Sequence, residues 1–181
     1  MPRPIRNRVV LLLCLAGAAL IGAVVPRSVA LALLATVFTL AFISYLVSFN
    51  YFSARRAMRK KKWVEALKGL EAYELGLATP WKRWLSFLAL GTYSLDGVAI
   101  ARNNVGVVHL ENAKLEWAEK AFASALERDP LYAVPHVNLA VAAARRGDGT
   151  LMQRHLDEAA RLGVRSSRMN KRIAALLPAS K

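Results

Sequence analysis

Two patterns of apolar positions divide the chain. Val9 to Val25 is an unbroken run of 17 apolar or glycine residues, and Val29 to Val47 adds 19 more, interrupted by Thr36, Thr39 and Ser44. At about 1.5 Å per helical residue, each run comes near the ~30 Å hydrocarbon core of a bilayer. Hydroxyls of threonine and serine can bond back to their own helix, so lipid tolerates them. Pro26, Arg27 and Ser28 separate the runs; proline suits a break, and arginine can snorkel to headgroups. This pattern predicts a tight transmembrane hairpin over residues 1–52, with spans at about 9–25 and 29–49. Near residue 62 the period changes. Trp63, Ala66, Leu67, Leu70, Tyr73 and Leu77 recur at three and four, as do Leu115, Ala118, Phe122, Ala125 and Leu126. Each set is one face of a helix, and no run alternates like a strand, so the expected fold class is all-α.

Self-comparison gives a 34-residue period. Asn104 matches Asn138, Val105-Gly106 matches Leu139-Ala140, Phe122 matches Leu156, and Ala125 matches Ala159. The stretch ARNNVGVVHLENAKLEWAEKAFASALERDP resembles a tetratricopeptide repeat, with Gly106, Ala118, Phe122, Ala125 and Pro130 on that family's pattern. Val105 stands in the place of its Leu, His109 in that of its Tyr, and Arg102 where it often has Trp. Residues 133–164 are a more worn copy, in which Met152, Ala143 and Val164 depart from the pattern. KKWVEALKGLEAYELGLATP resembles the second helix of a further repeat, whose first helix would run through Tyr51–Arg59. The resemblance implies a short right-handed solenoid of antiparallel helix pairs. The expected order is a basic juxtamembrane segment at 53–62, a partial repeat helix and amphipathic insert at 63–98, two repeats at 99–164, and a capping helix and tail at 165–181. Asp129-Pro130 suits a helix start, and Gly147 and Gly163 suit helix ends. The insert sets Trp81, Trp84, Leu85, Phe87, Leu88 and Leu90 beside Lys82 and Arg83; it reads as a helix packed on the repeats or lying at headgroup depth.

Charge then fixes an expected topology. Residues 1–50 carry four arginines and no acid, whereas the rest of the chain holds all 12 acidic residues. Arg3, Arg6 and Arg8 precede the first run, and Arg55, Arg56, Arg59, Lys60, Lys61 and Lys62 follow the second. The positive-inside rule places both termini in the cytoplasm of a bacterial inner membrane or its equivalent, with the six-residue cluster against anionic headgroups. The basic start and Ser28-Val29-Ala30 also resemble a signal peptide, but the first run exceeds the usual apolar region and a second follows at once. Cys14, the one cysteine, sits inside the first run and reads as a small apolar side chain.

The remaining side chains do not assemble into a catalytic pattern. His109, His136 and His155 show no metal-ligand spacing, and the first two hold large-residue core positions of the repeat. Glu65, Glu71 and Glu74 read as a solvated face beside Lys68. Residues 99–164 balance eight basic against eight acidic residues, which argues against nucleic acid. No enzyme activity, cofactor, metal or small-molecule substrate is expected. The resemblance points to protein partners, as a membrane-tethered scaffold or assembly factor, or as a permanent accessory subunit of a membrane complex. First helices of such stacks line a concave groove. Here that face would present Asn103, Val107, Leu110, Val134, Val137, Val141, Arg168 and Arg172, with Val137 and Val141 partly exposed. Asn138, Arg168 and Arg172 fall where some family members hold a partner's C-terminal carboxylate, which would make the chain a peptide C-terminus receptor.

Overall fold

The computed structural model describes residues 26–90 and 94–164, the side chains of 87–90 excepted. Among these residues eight helices occur and no strand, so the chain is all-α there. The first, α1, is Arg27–Val47. Its apolar residues run all round rather than along one stripe, and almost none is covered by the rest of the chain. Thr36 and Thr39 donate to the carbonyls of Ala32 and Ala35 at 2.9 and 2.8 Å, so these hydroxyls are satisfied within the helix. α1 is the one helix among the described residues long and apolar enough to cross a membrane. The other arm of the expected hairpin, and the capping helix, lie outside the described residues. α1 begins two residues before the expected span of 29–49 and ends two residues before its close, at Val47, where Ser48 breaks the helix ahead of α2, Phe49–Arg59.

Three helical hairpins follow from one repeated device. α2 folds back on α3, Trp63–Gly76; α5, Gly97–Glu111, on α6, Leu115–Arg128; α7, Ala133–Arg146, on α8, Gly149–Arg161. Each first helix ends in a left-handed residue: Lys61 at φ 56°, Ala113 at φ 56°, Gly147 at φ 82°. In each, the next amide reaches back five residues: Lys62 to Ala57, Lys114 to His109 and Asp148 to Ala143, at 3.0, 2.9 and 2.9 Å. These Schellman bonds satisfy carbonyls that a helix end leaves orphaned. The turns lie 52 and then 34 residues apart, and the 18 extra residues accommodate α4, Pro80–Leu90. Asp96 caps α5 through Oδ1, which accepts from Val98 and Ala99, and Asp148 caps α8 by accepting from Leu151. α7 starts three residues beyond Pro130, and the proline in its first turn is Pro135, where its missing N–H has no intrahelical partner to lose. Asp129 is instead buried in the turn, accepting from Ser94 Oγ at 2.5 Å and from Leu131 N.

The core is a chain of layers. Tyr51, Ala54, Leu70, Tyr73 and Val108 join α2, α3 and α5. Leu110, Ala118, Phe122 and Val141 join α5, α6 and α7. Val137 and Ala159 join α7 to α8, with Leu156 and Val164 against them. α5 and α7 therefore each serve two layers, the one-dimensional logic of stacked units. Close approach within α5–α6 needs Gly106: a Cβ there would lie 2.5 Å from Cε1 of Phe122.

Candidate functional site

One candidate region lies where α1 meets α2. Phe38 on α1 is 72% exposed, and Leu31, Val37 and Phe42 are exposed with it. Exposed apolar surface of this extent is the kind that meets another protein or a membrane. Tyr45, Phe49 and Phe52 form an aromatic cluster at its C-terminal end, Tyr45 stacked on Phe52 with ring centres 5.7 Å apart. Immediately beyond lie the six basic residues, but not as a linker. Arg55, Arg56 and Arg59 stand on the solvent face of α2, and Lys60, Lys61 and Lys62 fill its turn; all six are exposed. The amphipathic α2 buries Tyr51, Ala54 and Ala57 on its other face. Lys62 pairs with Glu65 at 2.8 Å, and Arg55 lies over the Tyr51 ring.

The face expected as a concave groove is placed differently. Val137 is 4% exposed and Val141 0%, and Leu110 and Asn138 are buried with them. These side chains pack between α5, α6, α7 and α8 rather than facing a groove; only Val107 and Val134 keep part of their surface. Asn138 does not await a carboxylate: its Nδ2 donates to Oδ1 of the buried Asn103 at 2.7 Å, tying α7 to α5. Arg168 and Arg172 lie outside the described residues. The physical reason is that α7 sits mid-stack, so neighbours on two sides cover most of its circumference.

An open cleft of about 720 Å³ instead lies between α6 and α8, over α7. Ala123, Leu126, Leu139 and Leu151 give it a chiefly apolar lining, and Glu119, Lys120, Glu127 and His155 are its polar members. Trp117, on the same helix as Lys120 and with that ammonium over its ring, is an exposed aromatic. Leu126 and Leu139 show only as parts of separate helical stripes in the sequence; nothing local signals that they flank one opening.

Among the described residues the histidines behave as packing groups. His109 lies against Trp117, with ring centres 6.2 Å apart. His136 on α7 and His155 on α8 bring their Nδ1 atoms to 3.2 Å, a pairing the sequence does not announce. Burial holds both below the ordinary imidazole value, helped by the charge of His155 at His136 and of Arg154 at His155.

No protein-family model matches the chain, and no curated protein matches it.

Two polar links complete the picture. Arg102 donates through Nε and Nη2 to Oε1 of Glu74 at 3.0 and 2.8 Å, and through Nη1 to Ser124 Oγ at 2.7 Å. It thus clamps α3, α5 and α6 together. Glu74 is therefore an ion-pair partner rather than part of a purely solvated face. Arg128 pairs with Asp96 at 2.7 Å and closes the α5–α6 hairpin at its open end.

Proposed function

We propose that this chain is a membrane-tethered module of the tetratricopeptide-repeat kind, which holds a protein partner at the membrane surface as a scaffold or assembly factor. The observation that carries this reading is the bare apolar α1, joined through a single residue to a stack of helical hairpins. The regular hairpin turns and layered core support the repeat assignment, alongside the motif in residues 99–130. The α6–α8 cleft, apolar with a charged margin, is the surface proposed for an amphipathic partner segment. The basic cluster directly after α1 supports a cytoplasmic position for the repeats. A second reading, a permanent accessory subunit of a membrane complex, draws on the same helix, since apolar residues around its whole circumference can pack against other spans.

One experiment separates these readings. Membranes carrying the chain are washed with alkaline carbonate, solubilised in mild detergent, and partners are identified by mass spectrometry for wild type and for Leu126→Glu with Leu151→Glu. Both forms are expected in the carbonate-resistant pellet, and the double variant is expected to lose the partner while keeping its helical circular dichroism. Release of the chain by carbonate overturns the tether. A partner that survives both substitutions and does not exchange with added wild-type protein favours the accessory subunit.

A further inference from the structure

α4 stands outside the repeat pattern, and its position calls for an explanation. It packs against α1 and against α5. The link to α1 is specific: Ser44 Oγ, buried, donates to the carbonyl of Leu85 at 2.7 Å. Ser44 lies three residues from the end of α1, or about 4.5 Å below it along the helix axis. If α1 spans the bilayer, that carbonyl lies at the boundary between acyl chains and headgroups. α4 also has two unlike sides. Ser86 is buried, whereas Trp81 is 54% exposed and Trp84 72%. At about 100° per residue the two tryptophans lie some 140–160° round the helix from Ser86, so they share the face opposite that buried residue.

Basic residues border that face. Lys82 and Arg83 flank the tryptophans, and the Lys82 ammonium lies over the Trp81 ring at 5.6 Å. From Leu75 to Leu95 the chain has no acidic residue. Indole rings with an apolar body and an N–H donor favour headgroup depth, and neighbouring cations favour anionic lipid. The aromatic cluster of Tyr45, Phe49 and Phe52 and the basic residues of α2 lie at the same end of α1, so the face continues a surface already suited to the interface.

We infer that α4 lies in the headgroup layer of the bilayer, with Trp81 and Trp84 inserted among the lipids, as a second contact that fixes the orientation of the repeats relative to α1. This rests on α1 being the span. A chain held by α1 alone would swivel; a rigid helix wedged beside the span and seated in the interface removes that freedom.

The test uses the full chain in vesicles of phosphatidylcholine and phosphatidylglycerol. Tryptophan emission is read with nitroxide-labelled lipids bearing the quencher near the headgroup or deep in the acyl chain, and with acrylamide in the water. Wild type is compared with Trp81→Phe/Trp84→Phe, which leaves Trp63 and Trp117 as the emitters. The expected result is strong quenching by the shallow nitroxide and weaker quenching by the deep one. That response should be largely absent in the double variant, while both proteins float with the vesicles. A chain carrying Trp84 as its only tryptophan should show the same depth preference. Equal lipid quenching of wild type and double variant overturns the proposal and leaves the tether standing. So does quenching of Trp84 by acrylamide alone, which places the face in water. Protection from both quenchers also overturns it, because protein then covers the face. Failure of both proteins to float with the vesicles rejects α1 as the span and this proposal with it.

Discussion

Individual residues carry much of the local specification, and two of them give sharp tests. Gly106 lets the Phe122 ring sit against the α5 backbone. Gly106→Ala should destabilise the stack by about 1–3 kcal/mol, since a methyl 2.5 Å from the ring forces a shift in a packed layer. Adding Phe122→Leu should make the pair less than additive, because the smaller side chain relieves the overlap. Thermal unfolding of the four proteins in detergent micelles measures the coupling, and strict additivity would show that the two residues do not meet. Ala113 gives the opposite sign. It holds φ 56° where the equivalent hairpin of α7 and α8 has glycine. An L-residue pays about 1 kcal/mol there, so Ala113→Gly should raise the unfolding midpoint, with Gly147→Ala lowering it by a similar amount.

At the level of elements, α7 is the most informative helix. Its 3.6-residue pattern tells which residues share a face but not which neighbour meets that face. Val141 belongs to the layer of Leu110 and Phe122 and is fully buried. Val141→Glu should therefore unfold the α5–α8 region rather than release a partner, because it forces a carboxylate into the apolar layer of Leu110 and Phe122. Retained helical signal at 25 °C together with cooperative melting would contradict this packing. The α7–α8 contact also carries a pH dependence. His136 and His155 are held below their ordinary value near 6.5 by burial first, then by His155 and Arg161 at His136 and by Arg154 at His155, with Glu158 opposing at both sites and Glu119 at His155. The fold thus favours neutral rings, while the unfolded chain binds protons at the ordinary value. Their contribution is present in full above about pH 6.5 and is lost as pH falls through the folded-state values. The unfolding midpoint should drop between pH 7.5 and 5.5, and His155→Asn should flatten that slope. An unchanged slope would mean that the pair titrates normally in the fold.

For the whole molecule the question is how a stack of hairpins sits on α1. α1 runs almost directly into α2, α2 is the first helix of the first hairpin, and α4 returns to touch α1. The stack is held at two points rather than hung from a linker. On the proposed topology the carboxyl end of the chain is cytoplasmic. In a Cys14→Ser background, Lys181→Cys should resist a membrane-impermeant thiol reagent in intact cells and react once the cells are opened. Labelling in intact cells would reverse the proposed orientation.

The sequence by itself determined what depends on neighbours in the chain. Helical periodicity fixed the all-α class and the run of hairpins, and the length and composition of Val29–Val47 marked a helix able to cross a bilayer. The hairpin arms around Phe122 were legible because Gly106, Ala118 and Ala125 are small at positions where a partner helix must come close. Tertiary structure alone decided which apolar faces are covered. Val137, Val141 and Asn138 have the spacing of an inner surface, yet α5, some 30 residues away in sequence, covers Val141 and Asn138, and α8 covers Val137; no local pattern encodes that. The cleft of Leu126, Leu139 and Leu151 was invisible for the converse reason, since its lining is divided among three helices. Arg102 in a tryptophan position looked like a departure, and only the folded chain brings Glu74 and Ser124 to its guanidinium. Spacing along a helix is a property of the backbone, whereas burial is a property of what packs against it, and that is set by side chains distant in sequence.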